Sequence, residues 1–271
     1  MGIIEVVIKS LGEAINPRRF LPFFVLYLLF FTSVLVFTSS LLQVLPSLIL
    51  VKFTEKELTV AMFDVFALLT VFLIVVGINL WFTGALVSDL YKDKGFDAGL
   101  KYSKKIYLKM IFLSFLFFLF IIVSGLFGDF GLIIRLLIDW VFMFSLVAII
   151  IKGDGVQQSL IRSYNIIRKN VLKTFGFLIL TYFITFVILF FCLFLVVISL
   201  YPLFLNLAEI VPAFTDLQTV SSQQLVRIIA LVLRSYPSLV IASVIASLFL
   251  SFANIFIYSS RTYYFLSFKK K

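Results

Sequence analysis

Six stretches of this chain, Phe20–Leu48, Val60–Leu86, Tyr107–Phe127, Leu132–Ile151, Val171–Phe204 and Pro237–Phe265, are apolar almost without interruption. About 20 residues suffice for a helix to cross the roughly 30 Å hydrocarbon core of a bilayer, at 1.5 Å per residue. Hydrocarbon offers the backbone no hydrogen-bond partner, so a segment that crosses alone must be helical. Composition agrees: 63% of the 271 residues are hydrophobic and 13% are charged, whereas soluble domains carry about 25% charged residues. The expected fold is therefore all-α, a polytopic transmembrane bundle of about six spans forming one integral domain over residues 1–271. A hairpin at Gly125, Gly128 and Asp129 is expected between the third and fourth spans.

Orientation follows from the basic residues. Eighteen of the 23 lie before the first span, between spans two and three, between four and five, and at the C-terminal end. By the positive-inside rule these segments are cytoplasmic, and an even number of spans puts both termini there, in a cell membrane. Cysteine labelling of intact cells tests this: in a Cys192-free background, positions Glu57, Asp129 and Glu209 are expected to label from outside, and Lys104, Lys169 and Lys270 are not. Efficient outside labelling at position 104 would overturn the assignment. The formal net charge of +10 is thus an orientation signal, and no nucleic-acid partner is expected.

The inventory narrows the chemistry. There is no histidine, and the single cysteine, Cys192, lies inside an apolar run, which removes an internal disulfide, a Cys/His zinc site and histidine-dependent catalysis. No metal site, no cofactor and no enzymatic activity are expected. The N-terminal MGIIEVVIKSLGEAINPRRF lacks a cleavable signal pattern and reads as mature sequence; MGIIEV also lacks the Ser or Thr of a myristoylation site.

Two basic connections resemble each other. GFDAGLKYSKKIYLKM from Gly95 and GVQQSLIRSYNIIRKN from Gly155 align without a gap at an offset of 60, matching Gly95/Gly155, Leu100/Leu160, Ser103/Ser163 and Ile106/Ile166. In each, apolar residues recur at three- and four-residue spacing while basic residues fill other faces, as in amphipathic helices lying on the cytoplasmic leaflet. Ile3–Ile15 is a third such element. The expected plan is three units of interfacial helix plus hairpin, at 1–91, 92–151 and 152–271. Lys101, Lys104, Lys105, Arg162, Arg168 and Lys169 are candidates for holding anionic lipid headgroups, at about 1 kcal/mol per cation near the surface.

The segment SLIRSYNIIRKNVLKTFGFL from Ser159, with Ser163, Tyr164, Arg168, Lys169 and Asn170, and the segment INPRRFLPF from Ile15 resemble a group of six-span prokaryotic membrane proteins. This group comprises the membrane domain of some glycerophosphodiester phosphodiesterases and its stand-alone relatives. The resemblance is specific over about 20 residues and implies a membrane module acting on or near lipids. The phosphodiesterase domain has no counterpart here, so nothing catalytic carries over.

Ionisable residues inside spans are expensive, about 2.5–3.5 kcal/mol at a helix centre on translocon scales, and are candidates for function. Asp64 lies in span two, and Arg135 and Asp139 lie four residues apart in span four. They read as an Arg135–Asp139 pair beside a hydrated Asp64, or as one polar pocket of all three open to the outside. Asn79 and Asn254 are candidates for a bond between spans, the Ser243, Ser247, Ser251 stripe for close packing, and Trp81, Tyr263 and Tyr264 for interfacial anchors. The near-unbroken apolar text of spans three and five argues against a wide aqueous pore within one chain. A non-enzymatic protein handling lipids or amphiphiles at the cytoplasmic leaflet is the leading reading, with membrane lipids as partners. A channel or transporter, in an oligomer, and a scaffold for a partner protein are the alternatives.

Overall fold

A computed structural model describes residues 2–49, 54–208 and 229–268. Among them every regular element is an α-helix: α1 (Ile3–Ile15), α2 (Pro17–Ile49), α3 (Glu55–Lys92), α4 (Phe96–Gly125), α5 (Phe130–Phe142), α6 (Ser145–Lys152), α7 (Val156–Lys169), α8 (Val171–Ala208) and α9 (Tyr236–Ser267). Six segments are long and apolar enough to cross a membrane, with α5 and α6 together making the fourth. The chain is an all-α polytopic membrane protein. The sequence ahead of Pro237 reads as a separate outer helix at Leu225–Arg234; residues 229–234 are helical and close on a turn at Ser235, while residues 225–228 lie outside the described residues, as do Glu209 and Lys270.

Local chemistry sets the helix ends. Pro17 opens α2, where its missing N–H costs nothing. Thr54 and Glu57 form a reciprocal cap at the start of α3, with Thr54 N donating to Glu57 Oε2 at 2.7 Å and Glu57 N to Thr54 Oγ1 at 3.3 Å. The α4–α5 hairpin is as tight as expected: Gly128 adopts φ +55°, and a Cβ on Gly131 would stand 2.2 Å from the Ser124 carbonyl oxygen, so only glycine fits there.

The described chain forms two compact units. The first comprises Met1–Phe23, Gly77–Ile188 and Ser251–Lys271, and the second Phe24–Val76 and Leu189–Leu250. α2, α3, α8 and α9 each contribute to both, so this division does not run along the sequence repeats.

In the first unit the core gathers Val6, Val87, Met110, Val147, Ile149 and Ile150 around an aromatic cluster. Phe177 stacks on Tyr264 with ring centroids 4.1 Å apart, and Phe144 packs near Tyr264, Phe265 and Phe268. Tyr263 and Tyr264 are thus buried core residues rather than the interfacial anchors expected, because the end of α9 is packed against α8 and the α5–α6 junction. Trp81 is half-buried, and its Nε1 donates to the Leu100 carbonyl at 3.0 Å.

The repeat is visible in geometry. Ser103 Oγ donates to Trp81 O at 3.0 Å and Ser163 Oγ to Val141 O at 2.9 Å, each reaching back 22 residues. Asp93 and Gly153, also 60 apart, both turn left-handed at a helix end, with φ of 52° and 70°. Lys92/Lys152 and Lys109/Lys169 extend the same register. The copies differ in one respect that corrects the expected plan. The segment after Gly95 is not a separate helix lying on the leaflet: α4 runs unbroken through it, antiparallel to the end of α3, with Gly99 set so closely against Ala85 that a Cβ would meet its carbonyl oxygen at 2.4 Å. The segment after Gly155 is a separate helix, because Asn170 ends it. Its Nδ2 bonds the Ile166 carbonyl at 3.1 Å, a local alternative to helix continuation that Met110, at the matching position, cannot make.

In the second unit the surface is dominated by exposed Phe63, Phe66, Phe72, Phe190 and Phe194, as suits a lipid-facing wall. Cys192 is buried. Ser243 and Ser247 donate to carbonyls of their own helix, Leu239 at 2.8 Å and Ser243 at 2.7 Å, which satisfies their hydroxyls without a polar path.

Candidate amphiphile cavity

Within the first unit α4, α5, α6, α8 and α9 line a half-open cavity of about 490 Å³, inside the range of small-molecule sites. Its walls are largely apolar, with Leu113, Phe117, Phe120 and Ile121 from α4 and Leu132, Leu136 and Phe142 from α5. Polar groups converge on one part of it: Arg135 and Asp139 of α5, Tyr182 of α8, and Tyr258 and Arg261 of α9.

Asp139 organises this polar part. Its Oδ2 accepts from Arg261 Nη2 at 2.7 Å and from the Tyr182 hydroxyl at 2.5 Å. The Asp139 and Arg261 side chains are 32% and 17% exposed, so the pair is largely shielded and each charge depends on the other. The ion pair of Asp139 is therefore made with Arg261 and not, as the four-residue spacing suggested, with Arg135. Arg135 lines the same cavity, is exposed on α5, and has no carboxylate within 4.0 Å among the described residues. Asp64, the third residue of the expected pocket, belongs to the second unit, where it is buried and its Oδ2 has no hydrogen-bond partner among the described residues.

Sequence reasoning missed Arg261, Tyr182 and Tyr258. Arg261 is among the eighteen basic residues that the positive-inside rule assigns to the cytoplasmic side, yet it sits inside α9. The signal was present, since Arg261 falls within the sixth apolar run. The expected Asn79–Asn254 bond does form, Asn254 Nδ2 donating to Asn79 Oδ1 at 3.0 Å. Asn79 and Asp139 are 60 residues apart, so the two copies present a polar residue to α9 at matching positions, and α9 answers with Asn254 and Arg261.

A second polar network ties the beginning of the chain to α3 and α9. Arg19 Nε donates to Asp89 Oδ2 at 2.8 Å, the same guanidinium pairs with Glu13 through Nη1, and the Tyr263 hydroxyl donates to Glu13. Asp89 also caps the α3–α4 turn, its Oδ1 accepting from Gly95 N at 2.8 Å.

Of the six basic residues expected to meet anionic lipid, Lys101, Lys104 and Lys105 are exposed on α4, and Arg168 and Lys169 are exposed at the end of α7. Arg162 is engaged by Asp154, through Nε at 2.5 Å and Nη2 at 3.2 Å. No group of three or more His, Cys, Asp or Glu side chains that could hold a metal is present among the described residues. No family model matches the chain, and no curated protein and no solved structure matches it.

Proposed function

We propose that this membrane protein binds an amphiphile in the cavity between α4, α5, α6, α8 and α9, without transforming it. One observation carries the reading: an apolar cavity with guanidinium groups at one part of its wall matches a molecule that is apolar along its length and polar at its head. Asp139, whose Oδ2 accepts from both Arg261 and Tyr182, serves to fix Arg261. Arg135 is the cation free to meet a headgroup. The resemblance to membrane modules that accompany lipid phosphodiesterases fits the same reading, and membrane lipids are its natural ligands.

Titration of the purified protein with a dansyl-labelled fatty acid, alongside its methyl ester, tests this. Leu136→Trp fills the cavity from α5 and is expected to weaken binding of both probes at least about tenfold, equivalent to about 1.4 kcal/mol, with little change in melting temperature. Unchanged affinity in that variant would overturn the proposal.

A further inference from the structure

A second concavity of the first unit, separate from the amphiphile cavity, is a cleft of about 740 Å³ between α7, the end of α6 and the end of α9. Lys152, Arg162 and Lys169 line it together with the amides of Gln158 and Asn165, over an apolar floor that includes Phe268. We infer that this cleft binds a phosphate-bearing anion.

Charge and donor count carry the inference. The only acid engaged by these cations among the described residues is Asp154, which pairs with Arg162 through Nε and Nη2. That contact neutralises one cation and leaves Nη1 to donate elsewhere. Neither Lys152 nor Lys169 has a carboxylate within 4.0 Å among the described residues. Lys109 adds a further cation nearby, its Nζ donating to the Gly153 carbonyl at 2.8 Å. Two ammonium groups, a guanidinium edge and two amides around one hollow make a donor set for an anion with several outward oxygens, and phosphate has three or four.

The first copy of the repeat shows how a matching site is closed. There Lys92, the counterpart of Lys152, lies over the ring of Tyr102 at 3.6 Å, so its charge is spent on a cation–π contact. Arg162 replaces Tyr102 in the second copy. With no ring to cover it, Lys152 faces the cleft.

The phosphate could belong to a lipid headgroup or to a soluble ester, and two arms distinguish them. In one, the protein in phosphatidylcholine nanodiscs, with and without phosphatidylglycerol, is released for native mass spectrometry and the retained phosphatidylglycerol is counted. In the other, the protein in phosphatidylcholine alone is titrated with glycerol 3-phosphate, followed by ³¹P line broadening. Retention only in the first arm assigns the site to lipid; binding in the second assigns it to a soluble phosphate ester. Lys152→Gln and Lys169→Gln are each expected to weaken the observed binding roughly five-fold, and Lys104→Gln and Lys105→Gln, equal in charge but outside the cleft, substantially less. Binding in neither arm would overturn the inference. So would equal losses at all four lysines, which would mean unspecific attraction to a basic surface. Neither arm depends on the amphiphile cavity, since Leu136→Trp leaves this cleft intact.

Discussion

Replacing Arg261 by Met is expected to destabilise the protein by about 3 kcal/mol, the lower end of the cost of stranding one member of a buried ion pair. The lower end applies because about a third of the Asp139 side chain is exposed, 32% against 17% for Arg261. Without Arg261 the Asp139 carboxylate keeps, among the described residues, one hydrogen bond, from the neutral Tyr182 hydroxyl. Asp139→Leu should also be costly, because it leaves a guanidinium in an apolar wall. The double variant should cost less than the sum of the two by about 0.5–3 kcal/mol, since neither partner is left alone. Arg135→Gln is the contrast. It breaks no ion pair and should change stability by less than about 1 kcal/mol, while weakening a charged amphiphile more than its neutral ester. Unfolding of each variant in one detergent supplies all these values. A loss at Arg135 matching that at Arg261 would show that the pairing is misassigned.

The second large effect is expected at Arg19, whose side chain is 12% exposed and stands between Glu13 at 18% and Asp89 at 5%. Arg19→Gln leaves two carboxylates facing one another in a shielded site, and about 4 kcal/mol of stability should be lost. Asp89 retains the Gly95 N–H, so the α3–α4 turn should persist while the docking of α1 loosens. Arg19→Lys should recover only part of the loss, because an ammonium is a point charge and cannot present the planar fork that serves both acids. The measurement is thermal unfolding together with hydrogen exchange over residues 3–15. Stability within about 1 kcal/mol of the parent, with α1 protection unchanged, would contradict the assigned role; that margin is the cost of an exposed pair.

The six spans were legible because the hydrocarbon requirement acts on each segment alone, and a run such as Val171–Phe204 has no soluble alternative. The hairpin at Gly128 and the Asn79–Asn254 bond were legible for similar reasons, the first from local backbone chemistry and the second from the rarity of amides in apolar text. The partner of Asp139 was not. Arg135 is four residues away and Arg261 is 122 away, and periodicity favours the near one. Only the packing of α9 against α5 chooses between them. Tyr263 and Tyr264 were misread for a related reason: aromatic residues near the end of a span serve equally well at a lipid interface or in a core, and only their neighbours decide. The continuity of α4 through the basic segment after Gly95 was hidden by its resemblance to the segment after Gly155, where one residue, Asn170 in place of Met110, ends the helix.

The proposal that an amphiphile occupies the cavity is tested most directly by photo-crosslinking. A diazirine-bearing fatty acid is added to the protein in phosphatidylcholine nanodiscs, irradiated, and the labelled residues are located by peptide mass spectrometry. Label is expected to concentrate between Leu113 and Leu146 and near Tyr182, the residues around the cavity, and to disappear from them in Leu136→Trp. Label spread over the exposed Phe63, Phe66, Phe72 and Phe190, with no enrichment at the cavity and no response to Leu136→Trp, would contradict it.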